Sequence, residues 1–476
     1  MRPPSAEQPE RTPPCVYNPP MPRPLFDLAG HGTTVRTEVL GGMTTFATMA
    51  YIIVVNPAVL AFAGFPVGAT TVATIVVAVF GTLLMGLVAN RPIAVAPYMG
   101  ENAFVAFSLA AMGIAWPQML GAVFVSGLVF LLITVLGIRA WLATAVSSSL
   151  KHSFAAGIGL FLALIGLYQT GIVTSAAAGA PAESLRGPGG LLRAPATPLR
   201  IGDLREPRAL LAILGFLVIA LLMQRRVRGA ILAGIAATAT LGILLGQGEA
   251  PRGVVALPFA GQWSLAPLFL KLDVPGVLHA SFLPVLLTLF LMGFLDTLGT
   301  LVGVGAAGGM LDERGQFPEI EKPMLVDALT CTLAGVVGTT TSGAYVESAT
   351  GIKEGARTGL AALTTASLFL VSLFFIPLVE PLQKLAYAYS PALVAVGLLM
   401  VTSVRHVDFD DLTELVPSFV TIVMMVFTYN IANGLTAGLA LYPLLKLVAG
   451  RAREVRPGAW VLAALGASYY VFGLPH

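Results

Sequence analysis

The sequence predicts an all-α polytopic membrane protein, with about fourteen transmembrane segments forming two inverted seven-span repeats. Three observations predict it: an apolar composition, a succession of uncharged runs each about a bilayer long, and a sequence pattern in the first half that returns in the second. Of 476 residues, 56% are hydrophobic and only 11% charged, with a mean hydropathy of +0.85. Soluble domains carry about 25% charged residues, so lipid is the expected solvent. The net charge of +3 is small and offers no nucleic-acid footprint. Cys15 lies in a polar tail and Cys331 in an apolar run, which excludes a disulfide framework or a thiolate metal cluster. The five histidines are scattered singly, so no metal and no cofactor are expected.

Residues 1–36 hold nine prolines and several arginines but no apolar stretch before Phe26. They read as a disordered cytoplasmic tail, not a secretory signal. Apolar runs then follow near 40–63, 68–89, 92–112, 117–137, 152–173, 208–224 and 227–246. A second set lies near 281–305, 322–338, 339–356, 357–379, 386–404, 416–432 and 434–449. A bilayer core about 30 Å thick takes ~20 helical residues, and most of these runs are that long. Backbone in hydrocarbon must satisfy its own hydrogen bonds, and unalternating runs of this length suit helices, not barrel strands. The predicted divisions are the tail at 1–36, a first repeat at 37–250, a second at 251–450 and a C-terminal segment at 451–476. The apolar stretch 458–472 within that last segment is short enough either to lie at the interface or to span.

Orientation follows from the basic residues. Arg2, Arg11, Arg23 and Arg36 in the tail, Arg225, Arg226 and Arg228 after the sixth run, and Arg451, Arg453 and Arg456 after the fourteenth fall on one side by parity. That side is predicted to be the cytoplasm, making this a multi-pass inner-membrane protein with a cytoplasmic N-terminus. The loop 174–207, outside by the same parity, also holds arginines, but long loops obey the rule poorly.

The stretch Gly127–Trp141 followed by Ala156–Leu160 (AGIGL) resembles Ser367–Pro381 followed by Val394–Leu398 (VAVGL). Seven spans per repeat is an odd number, so the second copy must enter the membrane from the opposite face. Inverted repeats are common in secondary transporters, whose substrate sites lie near the midplane where the repeats meet. The third and tenth segments are both interrupted: Ala96-Pro-Tyr-Met-Gly-Glu-Asn-Ala-Phe104 in one, Gly338-Thr-Thr-Thr-Ser-Gly-Ala-Tyr-Val-Glu-Ser348 in the other. Broken backbone at membrane depth is tolerated where it is buried or lines a cavity. The two breaks are expected to face each other, with half-helices aiming N–H groups at a polar ligand.

Ionisable residues inside spans cost at least about 2.5 to 3.5 kcal/mol each and usually mark a ligand path or proton relay. Asp296 sits in the middle of the eighth segment beside Thr297, while Glu101 and Glu347 sit at the breaks. Asp327, near Lys322, reads instead as an interfacial carboxylate. Asn102 offers a donor and an acceptor suited to a heteroaromatic ring, and Thr341 belongs to the threonine run of the second break. Phe104 and Tyr345 are ordinary packing aromatics or, beside the breaks, stacking surfaces for a planar ligand. Gly299, Gly303, Gly305, Gly308 and Gly309 read as close helix packing.

Several linked strings resemble the azaguanine-type purine permeases of the nucleobase:cation symporter-2 family. They are Thr37-Glu-Val-Leu-Gly-Gly-Met-Thr-Thr-Phe-Ala-Thr-Met-Ala-Tyr-Ile-Ile-Val-Val-Asn-Pro57, Phe294-Leu-Asp-Thr-Leu-Gly-Thr-Leu-Val-Gly-Val304 on to Gly308, Met310-Leu-Asp-Glu-Arg-Gly-Gln-Phe-Pro318, Gly338-Thr-Thr-Thr-Ser342 on to Tyr345-Val-Glu-Ser348, and Gly355-Ala-Arg-Thr-Gly359. The resemblance runs from about Phe26 to Lys446. It implies fourteen spans divided into a core (spans 1 to 4 and 8 to 11) and a gate (spans 5 to 7 and 12 to 14). It also implies proton-coupled uptake of hypoxanthine, guanine or adenine, with substrate-binding roles for Asn102, Asp296 and Glu347. One departure stands out. Many members of that family carry Gly-Met-Gly-Leu-Asn-Ala where this chain has Tyr98-Met-Gly-Glu-Asn-Ala-Phe104, adding the carboxylate of Glu101.

A carboxylate can accept two parallel hydrogen bonds from adjacent N–H donors of a purine. Two or three acids around a neutral ligand in a low dielectric cannot all stay ionised, so Asp296 and Glu347 are expected to serve substrate and proton jointly. The expected partners are therefore a nucleobase, the proton and the lipid bilayer, with a homodimer left open. No enzymatic activity is expected. A uracil or xanthine permease of the same fold is the nearest alternative, and an intramembrane acid-pair enzyme a remoter one, since no Gly-x-Gly-Asp string occurs. The chain also has no Gly-x-x-x-x-Gly-Lys-[Ser/Thr] loop, as an ATP-driven pump would need.

Overall fold

The computed structural model describes residues 25–138, 141, 145–178, 199–311 and 317–472. Most of the expected tail, residues 179–198 of the long loop, residues 312–316 of the Met310–Pro318 string and the last four residues lie outside this set. Helices occupy the apolar runs in order. The first half contributes α1 (Val35–Met49), α2 (Ile52–Leu60), α3 (Val67–Leu87), α4 (Met99–Ala103), α5 (Trp116–Val135), α6 (Ser148–Gln169), α7 (Pro207–Gln224) and α8 (Ala230–Leu244). The second contributes α9 (Leu283–Gly308), α10 (Glu321–Val337), α11 (Ser348–Lys353), α12 (Gly359–Ser372), α13 (Ile376–Lys384), α14 (Ala386–Val401), α15 (Leu412–Phe427) and α16 (Ile431–Val448). The C-terminal stretch forms α17 (Pro457–Phe472), packed on α16 and α9.

Among the described residues, nine helical stretches are long and apolar enough to cross a membrane. The other expected spans are shorter, charged or broken. Helices α8 and α15 have 15 and 16 residues, and α10 has 17 and opens on Glu321 and Lys322. The third and tenth segments are each split by a short strand. Helix ends follow local chemistry. Thr34, Ser147, Thr358, Asp411 and Asn430 each accept a backbone N–H at a helix start, a cap worth about 0.5–2 kcal/mol.

The helices pack into two groups. Helices α1 to α5 and α9 to α12 pack among themselves, as do α6 to α8 with α14 to α16. Contacts between the two halves of the chain come in matched pairs. In the first group α3 packs on α12 as α10 does on α5, and α1 on α12 as α9 on α5; in the second, α6 packs on α15 as α14 does on α7. This is the pattern a two-fold relation between halves produces. Helices α6 and α14 meet at its centre, where Gly159 and Gly397 each lie so close to the other's carbonyl that a Cβ would collide. These two glycines hold equivalent places in the AGIGL and VAVGL strings. In lipid, helices gain little from the hydrophobic effect, so such close backbone approach carries the packing.

The two broken segments meet each other. Strand β1 (Val95–Pro97) pairs antiparallel with a strand of the second half, Ser342–Ala344, in the register Val95↔Ala344, Ala96↔Gly343 and Pro97↔Ser342. Elsewhere Val173–Ser175 pairs with Leu199–Ile201 at the base of the long loop. The buried backbone around the break is satisfied by specific groups, as it must be at this depth. Thr82 Oγ1 accepts from Val95 N and donates to Val95 O, and Ser348 Oγ accepts from Ala94 N. Tyr98 N donates to Thr341 O at 3.0 Å, and Tyr345 N to Ala94 O at 2.9 Å. Gly338, with φ of +110°, ends α10 in the left-handed region and turns the chain into the second strand.

Candidate functional site

Each break launches a half-helix, and Glu101, Asn102 and Glu347 sit where these begin. After the first break the chain runs through α4 into a π-helical stretch, Phe104–Leu109, an irregularity frequent at functional sites. Glu101 and Asn102 are on α4 and fully buried. Asn102 Oδ1 accepts from the hydroxyl of Thr340, so the amide bridges the first half-helix to the threonine run of the second break. After that run, Glu347 stands at the N-cap position of α11 without a side-chain cap bond, half-buried, and its Oε1 accepts from the Tyr51 hydroxyl at 2.8 Å.

Asp296 lies on α9, which crosses both breaks. Its carboxyl is within hydrogen-bonding reach of Glu101. Gly293, one turn earlier on α9, faces Glu101: Oε1 lies 4.0 Å from where a Cβ would stand. Tyr345 is within electrostatic reach of Glu101, Asp296 and Glu347 together, and its hydroxyl donates to Pro97 O at 2.7 Å. The three carboxyls and Asn102 therefore gather around the crossing of the breaks. Tyr345 clamps one break to the other there.

Asp296 also borders a small cavity of about 10 Å³, walled by Met292 and Leu295 of α9, Phe154 and Ile158 of α6, Met425 of α15, and Ile431 and Leu435 of α16. It lies between the two helix groups. Ligand pockets usually measure about 300–1,000 Å³, so the gap is closed to a ring-sized molecule in this arrangement. A larger cavity of about 230 Å³, walled by Leu167, Thr170, Ala212, Phe216 and Pro391 among others, has an apolar lining without the polar groups a nucleobase would need.

Other predicted residues are placed differently. Thr297 turns away from Asp296: its hydroxyl contacts that of Tyr98 at 2.8 Å and donates to Asp327 Oδ2 at 3.0 Å. Phe104 is fully buried in the core. Thr341 is buried, its hydroxyl without a partner among the described residues. Asp327, expected at an interface, is instead fully buried. Its Oδ2 also accepts from Ala344 N at 2.9 Å, tying α10 and α9 to the second strand. Counting from Lys322 misplaced it; the inward face formed with Met324, Cys331 and Ala334 was the signal available. Gly343 allows the approach, since a Cβ there would stand 2.8 Å from Asp327 Oδ2.

The α9 glycines divide. Gly305 and Gly308 pack tightly, against Phe317 and Ile352 among others, and Gly309 ends the helix at φ +62°. Gly299 and Gly303 face open space instead of a neighbouring helix. With Val302, Ala306 and Ala307 they leave much of the last turns of α9 exposed, and Gly299 and Gly303 continue the face that carries Asp296. No group of three metal-ligating side chains occurs among the described residues.

A family model described as a permease family matches residues 36–436. The adenine permease AdeP of Escherichia coli is 37% identical over 93% of this chain and 94% of its own length. The guanine/hypoxanthine permease PbuO of Bacillus subtilis is 36% identical over 93% of this chain and 98% of its own. Among solved structures, the transmembrane domain of the cyanobacterial bicarbonate transporter BicA superposes with a TM-score of 0.57 at 17% identity, covering 85% of this chain and 97% of that one. That likeness speaks for the fold. With its apolar helices, paired breaks and a family match over most of its length, the chain belongs to this permease family and is a multi-pass membrane transporter.

Proposed function

We propose that the protein takes up purine nucleobases, adenine, guanine or hypoxanthine, together with protons across the inner membrane by alternating access. The observation that carries the reading is the convergence of Glu101, Asp296 and Glu347 at the crossing of two broken helices, beside a gap between two separately packed helix groups. Names of relatives at 36–37% identity supply the substrate class. Residues 37–250 and 251–450 are taken as the two inverted repeats, with 1–36 as a cytoplasmic tail and 451–476 as a C-terminal appendage. The helix group carrying both breaks acts as the core, and the other as the gate.

Asp296 can accept paired N–H donors from a purine edge, since carboxylates bind such donors in parallel. Glu347, held by Tyr51, supplies a second acceptor, and Asn102 fixes the two breaks in register. The gap is too small for a purine here, so binding requires the gate helices α6, α15 and α16 to withdraw from α9. The uncovered face from Gly299 to Ala307 offers a route from one side. Alternating access then consists of moving the core against the gate so that this route closes and another opens.

Uptake of labelled nucleobases into proteoliposomes tests the reading. Adenine, guanine or hypoxanthine should enter saturably and faster with an inward proton gradient. Preferential uptake of uracil or xanthine would move the substrate to another class. Normal purine transport by both Asp296→Asn and Glu347→Gln would remove the site.

A further inference from the structure

Glu101 is the buried acid that the mechanism above leaves without a defined task. Both of its carboxyl oxygens are fully buried and receive no hydrogen bond from any donor among the described residues. Glu347 differs, because the Tyr51 hydroxyl already serves it. The group within reach of Glu101 is another carboxyl, Asp296. Its other surroundings are apolar or close-packed: Gly293 stands opposite, and Ile158 presses on Gly100 of the same half-helix. The remaining titratable groups facing the pair are Tyr98, Tyr345 and Cys331, with Asp327 behind them. Helix α6 presents Phe154 and Ile158 there. Two carboxylates with only acceptors to offer repel each other, whereas one proton between them makes a short, strong O–H···O bond.

We propose that Glu101 and Asp296 form a carboxyl pair holding one proton, with Glu101 as its carrier, and that this proton is the one moved with each substrate. The assignment rests on the nucleobase reading above for its substrate. Protonated Glu101 donates to one oxygen of Asp296, which leaves Asp296 negatively charged, with the second lone pair of that oxygen and the whole of the other oxygen free for the paired N–H groups of the ligand. When the proton leaves Glu101, two facing carboxylates remain, Asp296 is pushed from its position and the ligand loses its principal acceptor. Proton and substrate thus bind together and leave together, one for one. Glu101 therefore acts on the substrate through Asp296 as a positioning residue.

The decisive variant is Glu101→Gln, whose amide can donate to Asp296 permanently. In wild-type protein, nucleobase affinity should weaken towards alkaline pH by up to about tenfold per pH unit, as for one linked proton. Glu101→Gln should bind with an affinity close to the wild-type acid-limit value, and that affinity should not change between about pH 6 and pH 9. It should retain exchange of labelled for unlabelled substrate while losing gradient-driven accumulation. The same pH dependence and accumulation in Glu101→Gln as in wild type would overturn the proposal. Infrared difference spectra between acid and alkaline pH, recorded for wild type and Glu101→Gln, provide a test independent of substrate. A carboxylic-acid C=O band that disappears at alkaline pH in wild type and is lost from Glu101→Gln supports the pair, and its absence from wild type or its persistence in the variant rejects it. If that band is present but no purine binds, the substrate assignment fails while the carboxyl pair stands.

Discussion

Removing the Asp327 carboxylate would strip an acceptor from the amide of Ala344 and the hydroxyl of Thr297, both in fully buried surroundings. Each orphaned buried group costs about 1–3 kcal/mol. Asp327→Ala should therefore lower stability by roughly 3 kcal/mol, read as a fall in the thermal unfolding temperature of purified protein. Asp327→Asn keeps one acceptor oxygen and should cost about 1 kcal/mol. Equal effects would mean that the hydrogen bonds are not what the residue contributes. The acids around the crossing were legible because a carboxyl in an uncharged run stands out at once. Thr297 is directed elsewhere by its hydroxyl partners: adjacent residues on a helix point about 100° apart, and its side chain meets Tyr98 and Asp327 instead of the Asp296 carboxyl. Tyr51 and Tyr98 escaped notice because hydroxyl-bearing aromatics are common among packed helices. Their roles depend on partners 296 and 229 positions away, which no local pattern reveals.

At the scale of elements, positions of helices and breaks could be read from hydropathy, proline and glycine, because lipid forbids irregular backbone except where it is buried. The strand pairing within the breaks could not, since three-residue strands carry no periodicity. The recurring AGIGL and VAVGL strings were visible as a repeat, but their structural reason, mutual contact of Gly159 and Gly397, required the fold. A leucine at Gly397 would force α6 and α14 apart. Overpacking of this kind costs typically about 1–3 kcal/mol, so Gly397→Leu should lower the unfolding temperature, whereas the same change at open Gly303 should not.

Helix α15 gives a pH expectation of opposite character to that of the carboxyl pair. Its N-cap Asp411 is bonded by the hydroxyl and amide of Thr413, by Arg451 at 2.7 Å and by Lys446 at 3.2 Å, which hold its carboxyl well below the usual range. Nearly buried Lys446 also meets Glu414 and Glu454, each at 3.2 Å. A depressed carboxyl stabilises the fold above its unfolded pKa of about 3.9, and that contribution is lost as pH falls through the lower folded value. This junction should accordingly be insensitive to pH from about 5 to 8. Asp411→Asn should unfold at a lower temperature than wild type at neutral pH, with the gap narrowing only below about pH 4. A gap that narrowed between neutral pH and about pH 6 would show that Asp411 is not held ionised by these partners.

At the scale of the whole molecule, an ion pair crosses the boundary between the two helix groups among the described residues. Arg228, in the turn between α7 and α8, meets Glu354 at the end of α11 at 2.6 Å. Both side chains are substantially exposed, at 55% and 38%, and surface pairs of this kind are worth at most about 1 kcal/mol. That is too little to lock a transporter, yet it biases a balance between two arrangements by up to about fivefold. In the arrangement described here Gly303 faces open space, so a cysteine there reports its population. In a Cys15→Ser background, with Cys331 buried, Gly303→Cys should react with a water-soluble maleimide. Adding Arg228→Glu or Glu354→Arg should slow that reaction by up to about fivefold, because the pair stabilises the arrangement in which the face is open. Combining the two reversals should restore the rate by re-forming the pair with its charges exchanged. An unreactive Gly303→Cys would place this face against lipid and withdraw it as a route, whereas undiminished reaction in both single reversals would show that Arg228 and Glu354 exert no hold on the boundary.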